Sequence, residues 1–255
     1  MTGDIFSENH EVEYYETNLL GNMTLSMLTD VIIMISQDQA TALGVGTQYV
    51  IEHGVTWVVA QTDMDITRLP RVHEKVQVQT RGSSYTKYFA YREFWVRDMD
   101  GNELVHVGSL WVMMDIQSRK MVKLDEAMVI PYHCDRVRRI QRLNKIPKIH
   151  DEHDIMQTEY HVRFTDIDWN SHVNNAKYIG WMVDVLPYDF LASHVPTEVS
   201  IKYEDEVTYG DPVLSRGKFI NTDNQIQTVH DISVNGSTKS IAEVKWKKLD
   251  KKGSK

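Results

Sequence analysis

Cysteine is nearly absent: Cys134 is the only one in 255 residues. That excludes an internal disulfide and suits a reducing compartment. Positive charge is in short supply as well. Lys and Arg number 28 against 36 Asp and Glu, a formal net charge of −8, which argues against nucleic acid as a partner while leaving room for a local basic patch. Long apolar runs are missing too. The longest, "VIIMI" at 31–35, is far short of the roughly 20 residues a membrane helix needs. The opening "MTGDIFSENHEVEYYETN" has neither an apolar h-region nor Arg/Ser-rich transit character, so no targeting peptide is expected. These absences point to a cytoplasmic globular protein with no membrane partner, long enough for one large domain or two modest ones.

What is present occurs twice. "HEVEYYETN" (9–17) alternates as a strand does and leads into "MTLSMLTDVIIMISQDQATALG" (23–44), whose spacing is helical and whose stop is Gly44. The stretches "VTWVVAQTDMDI", "EKVQVQTRGSS" and "KYFAYREFWVRDMDGNELVHVGSLWVMMD" then read as strands, with Asp100-Gly101 as a hairpin turn. In the second half "TEYHVRFTDID" (158–168) is a strand and "VNNAKYIGWMVDVL" (173–186) a helix closed by Pro187. Four more strands follow, with a turn at Asn235-Gly236. Each half is thus strand, helix and about four strands, which predicts a curled antiparallel sheet around one central helix. The first helix is apolar on nearly all faces, as a wrapped helix should be. Between the halves, 125–154 carries the strand signals of neither repeat. Its core "RVRRIQRLNKIPK" is the most basic cluster in the chain and reads as a linker over the surface. The expected division is 1–124, a linker 125–154, and 155–255.

The string Asp168-x-Asn170-x-His172-Val173-Asn174-Asn175-x-x-Tyr178-Ile179-x-Trp181 resembles the signature of the acyl-ACP thioesterases, plant chain-terminating enzymes and their bacterial relatives. "WVMMDIQSRK" (111–120) and "VSIKYEDEVTYGD" (199–211) agree with it. The resemblance implies an α+β tandem (double) hot-dog fold. It also implies hydrolysis of a fatty acyl thioester on acyl carrier protein, without a cofactor. Carried over residue by residue, the family's functional Asp, Asn, His and Glu fall on Asp168, Asn170, His172 and Glu206. A Cys–His–Asn reading of the family would need a cysteine directly after that Glu, where this chain has Val207. Asn174 and Asn175 are candidate substrate contacts beside the motif.

The chemistry agrees with this set. A thioester carbonyl is electrophilic and a thiolate, with a thiol pKa of about 8.5, leaves readily. The protein must therefore activate water and stabilise an oxyanion. Glu206 and Asp168 are candidate bases, whose pKa partial burial would raise. His172 can orient or share the proton, and Asn170 can hold the water or the carbonyl oxygen. Backbone N–H groups at the helix start, near Val173 and Asn174, are expected to be unpaired and to face the developing charge. Direct water attack with Glu206 as base and an acyl-enzyme anhydride on a carboxylate both fit the residues.

Plainer readings stand beside these. Asn and Asp before a helix are ordinary caps, and Ser171 or Asn174 fits that role. "HDEHD" (150–154) offers His150 and His153 at ligand spacing, but in a polar linker, and no metal is expected. The methionines of the first helix and Met113-Met114 are core filler or the lining of an acyl tunnel. Sliding the first repeat onto the second sets Leu19, Gly21 and Met23 at the places of Asp168, Asn170 and His172, with Leu69 and Pro70 near Glu206. The first repeat is therefore expected to hold the acyl chain while the second cuts. Arg136, Arg138, Arg139 and Arg142 are the expected docking residues for acidic acyl carrier protein, against the plainer reading of a solvated surface segment. A small-thioester (acyl-CoA) hydrolase and a non-catalytic acyl-binding module are the alternative functions, and monomer and homodimer both suit the repeat.

Overall fold

The computed structural model describes residues 3–168, 172–222 and 225–249. The chain forms two compact units that divide after Asn144. In the N-terminal unit the order is β1 (Phe6–Glu11), α1 (Leu25–Ala42), α2 (Thr47–Glu52), β2 (Val55–Ile66), β3 (Lys75–Tyr85), β4 (Phe89–Asp98), β5 (Glu103–Asp115), β6 (Met121–Val122) and β7 (Asp135–Arg136). The C-terminal unit runs β8 (Met156–His161), α3 (Asn175–Asp184), α4 (Tyr188–Leu191), β9 (His194–Tyr203), β10 (Pro212–Thr222), β11 (Gln225–Val234) and β12 (Ser237–Lys248). Within the first, neighbouring strands run β1-β3-β4-β5-β2; within the second, β8-β10-β11-β12-β9. The two orders are the same once strands are matched by position, so the repeat read from the sequence is a repeat of topology.

Local chemistry sets the element ends. Thr24 caps α1 by accepting from the Met27 N–H, and Gly44 follows the helix at φ +74, a conformation glycine takes without penalty. Leu25, Leu28, Ile32, Ile35 and Gln39, spaced to share one face, are buried. Met34 is 47% exposed, so the helix is not wrapped on all sides as its composition suggested. The Asn235-Gly236 turn joins β11 to β12 with φ of 50 and 79, the pair of left-handed residues a two-residue hairpin requires. Ordered short structure not anticipated from the pattern includes α2 and one-turn 3-10 helices at Tyr14–Glu16 and Phe164–Asp166. The two 3-10 turns occupy the ends of what read as long strands.

The expected linker is in large part structured. Met128, Val129 and Tyr132 are buried in the N-terminal unit, and β7 pairs with β3 in parallel. Beyond β7 the chain crosses the outer face of the sheet as a strap. The Val137 N–H donates to the Tyr85 carbonyl at 2.8 Å and the Gln141 N–H to the Tyr91 hydroxyl at 2.9 Å. At the strap's end the Asn144 N–H donates to Asp63 at 2.7 Å, and the Gln61 amide to the Asn144 carbonyl at 2.8 Å.

Candidate active site

The mouth of α3 is built from backbone bonds closed by a few side chains. Asp166 ends the 3-10 turn with its carboxylate buried. It accepts from the Arg163 N–H at 2.9 Å and from the Arg163 guanidinium at 2.9 and 3.1 Å. The Asp166 carbonyl in turn accepts the Asn174 N–H at 2.9 Å. Burial pushes the Asp166 carboxyl up, but the Arg163 guanidinium and N–H outweigh it and hold the group below its ordinary value. Asp168 and His172 close a loop on themselves: the Asp168 N–H donates to the His172 carbonyl at 2.8 Å, and Asp168 Oδ1 accepts the His172 N–H at 3.4 Å. Asn170 and Ser171, named from the sequence, lie outside the described residues.

Glu206 reaches this loop because Val207 is stitched to the helix. The Val207 carbonyl accepts the Val173 N–H at 3.3 Å, and the Val207 N–H donates to the Tyr178 hydroxyl at 3.0 Å. Tyr178 is buried, and burial drives its phenol far above the ordinary value, so it remains a neutral hydroxyl. The result is a contact of 3.4 Å between His172 Nε2 and Glu206 Oε2, with the side chains 28% and 31% exposed. Asp168, His172 and Glu206 are all half-buried, open to solvent yet partly shielded from it. A carboxylate and an imidazole at this spacing can share or relay one proton.

The helix-start amides do not serve as expected. The Val173 and Asn174 N–H groups are both paired, to Val207 and Asp166; these two hold the mouth together and are not free to face an oxyanion. The Asn174 side chain caps α3 by accepting from the Ala176 N–H at 2.8 Å, and the Asn175 carbonyl accepts the Tyr203 hydroxyl at 3.3 Å.

The first repeat carries the same scaffold, one residue out of the register that sequence sliding suggested. Its Asn18 N–H donates to the Asn22 carbonyl at 2.9 Å, its Met23 N–H to the Pro70 carbonyl at 2.8 Å and its Thr24 N–H to the Glu16 carbonyl at 2.9 Å. Asn18, Asn22 and Leu69 therefore stand at the positions of Asp168, His172 and Glu206. The Asn18 side chain closes its own loop by accepting the Leu20 and Asn22 N–H groups at 2.9 and 3.3 Å. Polarity is retained there, but the paired carboxylate and imidazole are not.

The remaining candidates lie apart in role. The Cys134 thiol belongs to the N-terminal unit, is half-buried, and sits 3.8 Å from the Val129 carbonyl; burial pushes its pKa up, the reverse of an activated nucleophile. In "HDEHD", Asp151 pairs with Lys218 at 2.8 Å and Glu152 with Arg216 at 3.2 Å. Among the described residues no three His, Cys, Asp or Glu side chains cluster as metal ligands do. Arg136 pairs with Glu126 at 2.7 Å, while Arg138, Arg139 and Arg142 are exposed along the strap.

Two sets of antiparallel strands of one topology, each with its own helix, define a double hot-dog protein. The model of the acyl-ACP thioesterase N-terminal domain matches residues 3–132, and that of the C-terminal domain residues 149–248. The chain belongs to the acyl-ACP thioesterase family. A Lactobacillus plantarum structure, provisionally assigned as an oleoyl thioesterase, is 42% identical with a TM-score of 0.96 over 98% of each chain. The 12:0-ACP thioesterase of Umbellularia californica shares the fold at 20% identity and a TM-score of 0.83, covering 96% of this chain and 94% of that one. The chloroplastic oleoyl-acyl carrier protein thioesterase of Coriandrum sativum is 24% identical over 82% of this chain and 61% of its own length. The chain spans about half to three fifths of the length of the plant relatives it matches. Among the described residues no helix is long and apolar enough to cross a membrane.

Proposed function

We propose that the chain hydrolyses the thioester of fatty acyl-ACP, releasing free fatty acid and holo-ACP and so ending chain elongation. The observation that carries this reading is the 3.4 Å pairing of His172 Nε2 with Glu206 Oε2 at the head of α3, in a chain of this family. Glu206 takes a proton from water as the oxygen attacks the carbonyl carbon. His172 orients Glu206 and shares that proton. Asp168 holds the loop and, with Asn170, completes the polar set. The tetrahedral intermediate then collapses with expulsion of thiolate, which needs little protonation to leave. The N-terminal repeat, with Leu69 in place of the carboxylate, takes the acyl chain. The protein works in the reducing cytoplasm, where Cys134 stays a thiol. The exposed Arg138, Arg139 and Arg142 receive the acidic carrier protein, whereas Arg136 is already committed to Glu126.

A panel of acyl-ACPs of different chain lengths, with thiol release followed continuously, tests the reading. Glu206→Gln and Asp168→Asn should each lower kcat/KM by about a hundredfold or more, and Cys134→Ser should leave it unchanged. Loss of activity in folded Cys134→Ser would overturn the carboxylate mechanism. Turnover of acyl-CoA at the rate of acyl-ACP would make the substrate a small thioester instead.

A further inference from the structure

The connection from β2 to β3, residues 67–74, is the first repeat's counterpart of the loop that carries Glu206. The Val12 N–H donates to the Glu74 carbonyl at 2.9 Å, as the Val162 N–H does to the Asp211 carbonyl at 3.4 Å. The Arg71 N–H donates to the Glu74 carboxylate at 2.9 Å, as the Thr208 N–H does to that of Asp211 at 2.8 Å. Arg71, His73 and Glu74 therefore stand at the places of Thr208, Gly210 and Asp211. His73 has a φ of 63 where Gly210 has 83, and left-handed backbone is uncommon outside glycine. The second repeat makes this turn with glycine; the first keeps an imidazole there against the backbone's preference. Its surroundings hold it so: the His73 N–H donates to the Val12 carbonyl at 2.8 Å and the Val72 N–H to the Gly21 carbonyl at 2.9 Å. A disfavoured conformation held by its neighbours points to a use for the side chain.

This loop walls an open recess of about 520 Å³, lined by Arg68, Arg71, Val72, His73 and Glu74. Its charges do not cancel. Arg68 grips Glu74 through Nη1 on Oε2 at 2.9 Å and Nη2 on Oε1 at 2.6 Å, and these bonds hold the Glu74 carboxyl below its ordinary value. Asp98, which also acts on Arg68, accepts from the Asp100 and Asn102 N–H groups at 3.0 and 2.8 Å. Among the described residues the Arg71 guanidinium and the His73 ring make no hydrogen bond or ion pair, and both residues are exposed. A chain of net charge −8 thus presents a cationic recess on a stitched loop. Donors on three residues, Arg68, Arg71 and His73, outnumber the two oxygens of a carboxylate and match the three free oxygens of a phosphate monoester. We propose that this recess is a binding site for a phosphate monoester, with Arg71 and His73 as direct ligands and Arg68 behind them. The site rests on this loop and not on thioester hydrolysis.

Calorimetric titration of the full chain with methyl phosphate, dimethyl phosphate and acetate tests it, at constant ionic strength so that screening is held fixed. Methyl phosphate should bind saturably at one site, about tenfold or more tighter than either of the others, the difference a charge-assisted hydrogen bond supplies. Arg71→Gln should weaken it by about tenfold. His73→Gly copies the second repeat and relieves the left-handed backbone, so it should weaken binding while leaving Tm unchanged or raised, which keeps the test clear of misfolding. Arg138→Gln/Arg139→Gln should bind methyl phosphate as the wild type does. No saturable binding to the wild type overturns the inference, and needs no variant to fold. Dimethyl phosphate bound as tightly would make the ligand a diester, and acetate bound as tightly a carboxylate; either overturns the ligand class. Affinity kept in both Arg71→Gln and His73→Gly but lost in the Arg138/Arg139 double variant would place the phosphate on the strap and overturn the site.

Discussion

Asp166 has no part in the proposed chemistry, yet its carboxylate anchors the loop that does. Held below its ordinary pKa by Arg163, it contributes stability that is present above the unfolded value of about 3.9 and is lost as pH falls through the lower folded value. Asp166→Asn should therefore lower stability at pH 7 by roughly 1–3 kcal/mol and flatten the loss of stability in acid, measured by thermal unfolding from pH 7 to pH 3. A variant with the wild-type acid profile would show that Arg163 does not hold the group. Asp168 makes a complementary case. Asn18 closes the equivalent loop of the first repeat with its amide oxygen, so Asp168→Asn should retain the wild-type Tm within a degree or two while losing activity. A Tm drop large enough to explain the lost rate would make Asp168 a structural residue only. The motif residues were legible because their types carry chemistry at fixed spacing. The Val207 and Asp166 carbonyls, which together with the Tyr178 hydroxyl of the same motif bring Glu206 to His172, were not. A backbone carbonyl is the same group in every residue and leaves no mark in the sequence.

At the level of elements, β2 runs over the same residues, 55–66, as the β-rich stretch read as a strand, and both hairpin turns fall at their Asp-Gly and Asn-Gly signals. Gly236→Ala would force a Cβ into a left-handed position and should cost about 1 kcal/mol, read as a lower denaturant midpoint at unchanged m-value. An unchanged midpoint would mean the turn does not set the β11–β12 register. Elements shorter than the pattern-reading window were missed. Alternation cannot separate a strand from a one-turn 3-10 helix continuing it, as at Tyr14–Glu16 and Phe164–Asp166. That ambiguity also explains the one-residue slip between the repeats: sequence sliding aligned residue types, whereas the loops align by the bonds they close. Asn22, and not Met23, stands at the place of His172, because Met23 repeats the backbone role of Val173.

Over the whole molecule, charge of opposite sign acts at two ranges. The chain carries a net charge of −8, which repels an acidic carrier protein at long range. The strap over the N-terminal sheet offers Arg138, Arg139 and Arg142 in the exposed state, which attracts it on contact. The linker's composition announced the basic cluster but not its fixing by Gln141 and Asn144, and a fixed cluster loses less entropy on docking than a free one. Salt separates the two ranges, because screening acts beyond about 8–10 Å at physiological ionic strength and reaches short contacts only at higher concentration. For acyl-ACP, kcat/KM should fall as salt rises from about 0.1 to 0.5 M, where contact attraction is what remains to be screened. In Arg138→Glu/Arg139→Glu the contact term reverses, so kcat/KM should start lower and rise with salt. For a short acyl-CoA the two proteins should run parallel. A double variant whose salt profile for acyl-ACP matches the wild type would remove the strap from the docking surface, and would do so without touching the residues at the head of α3.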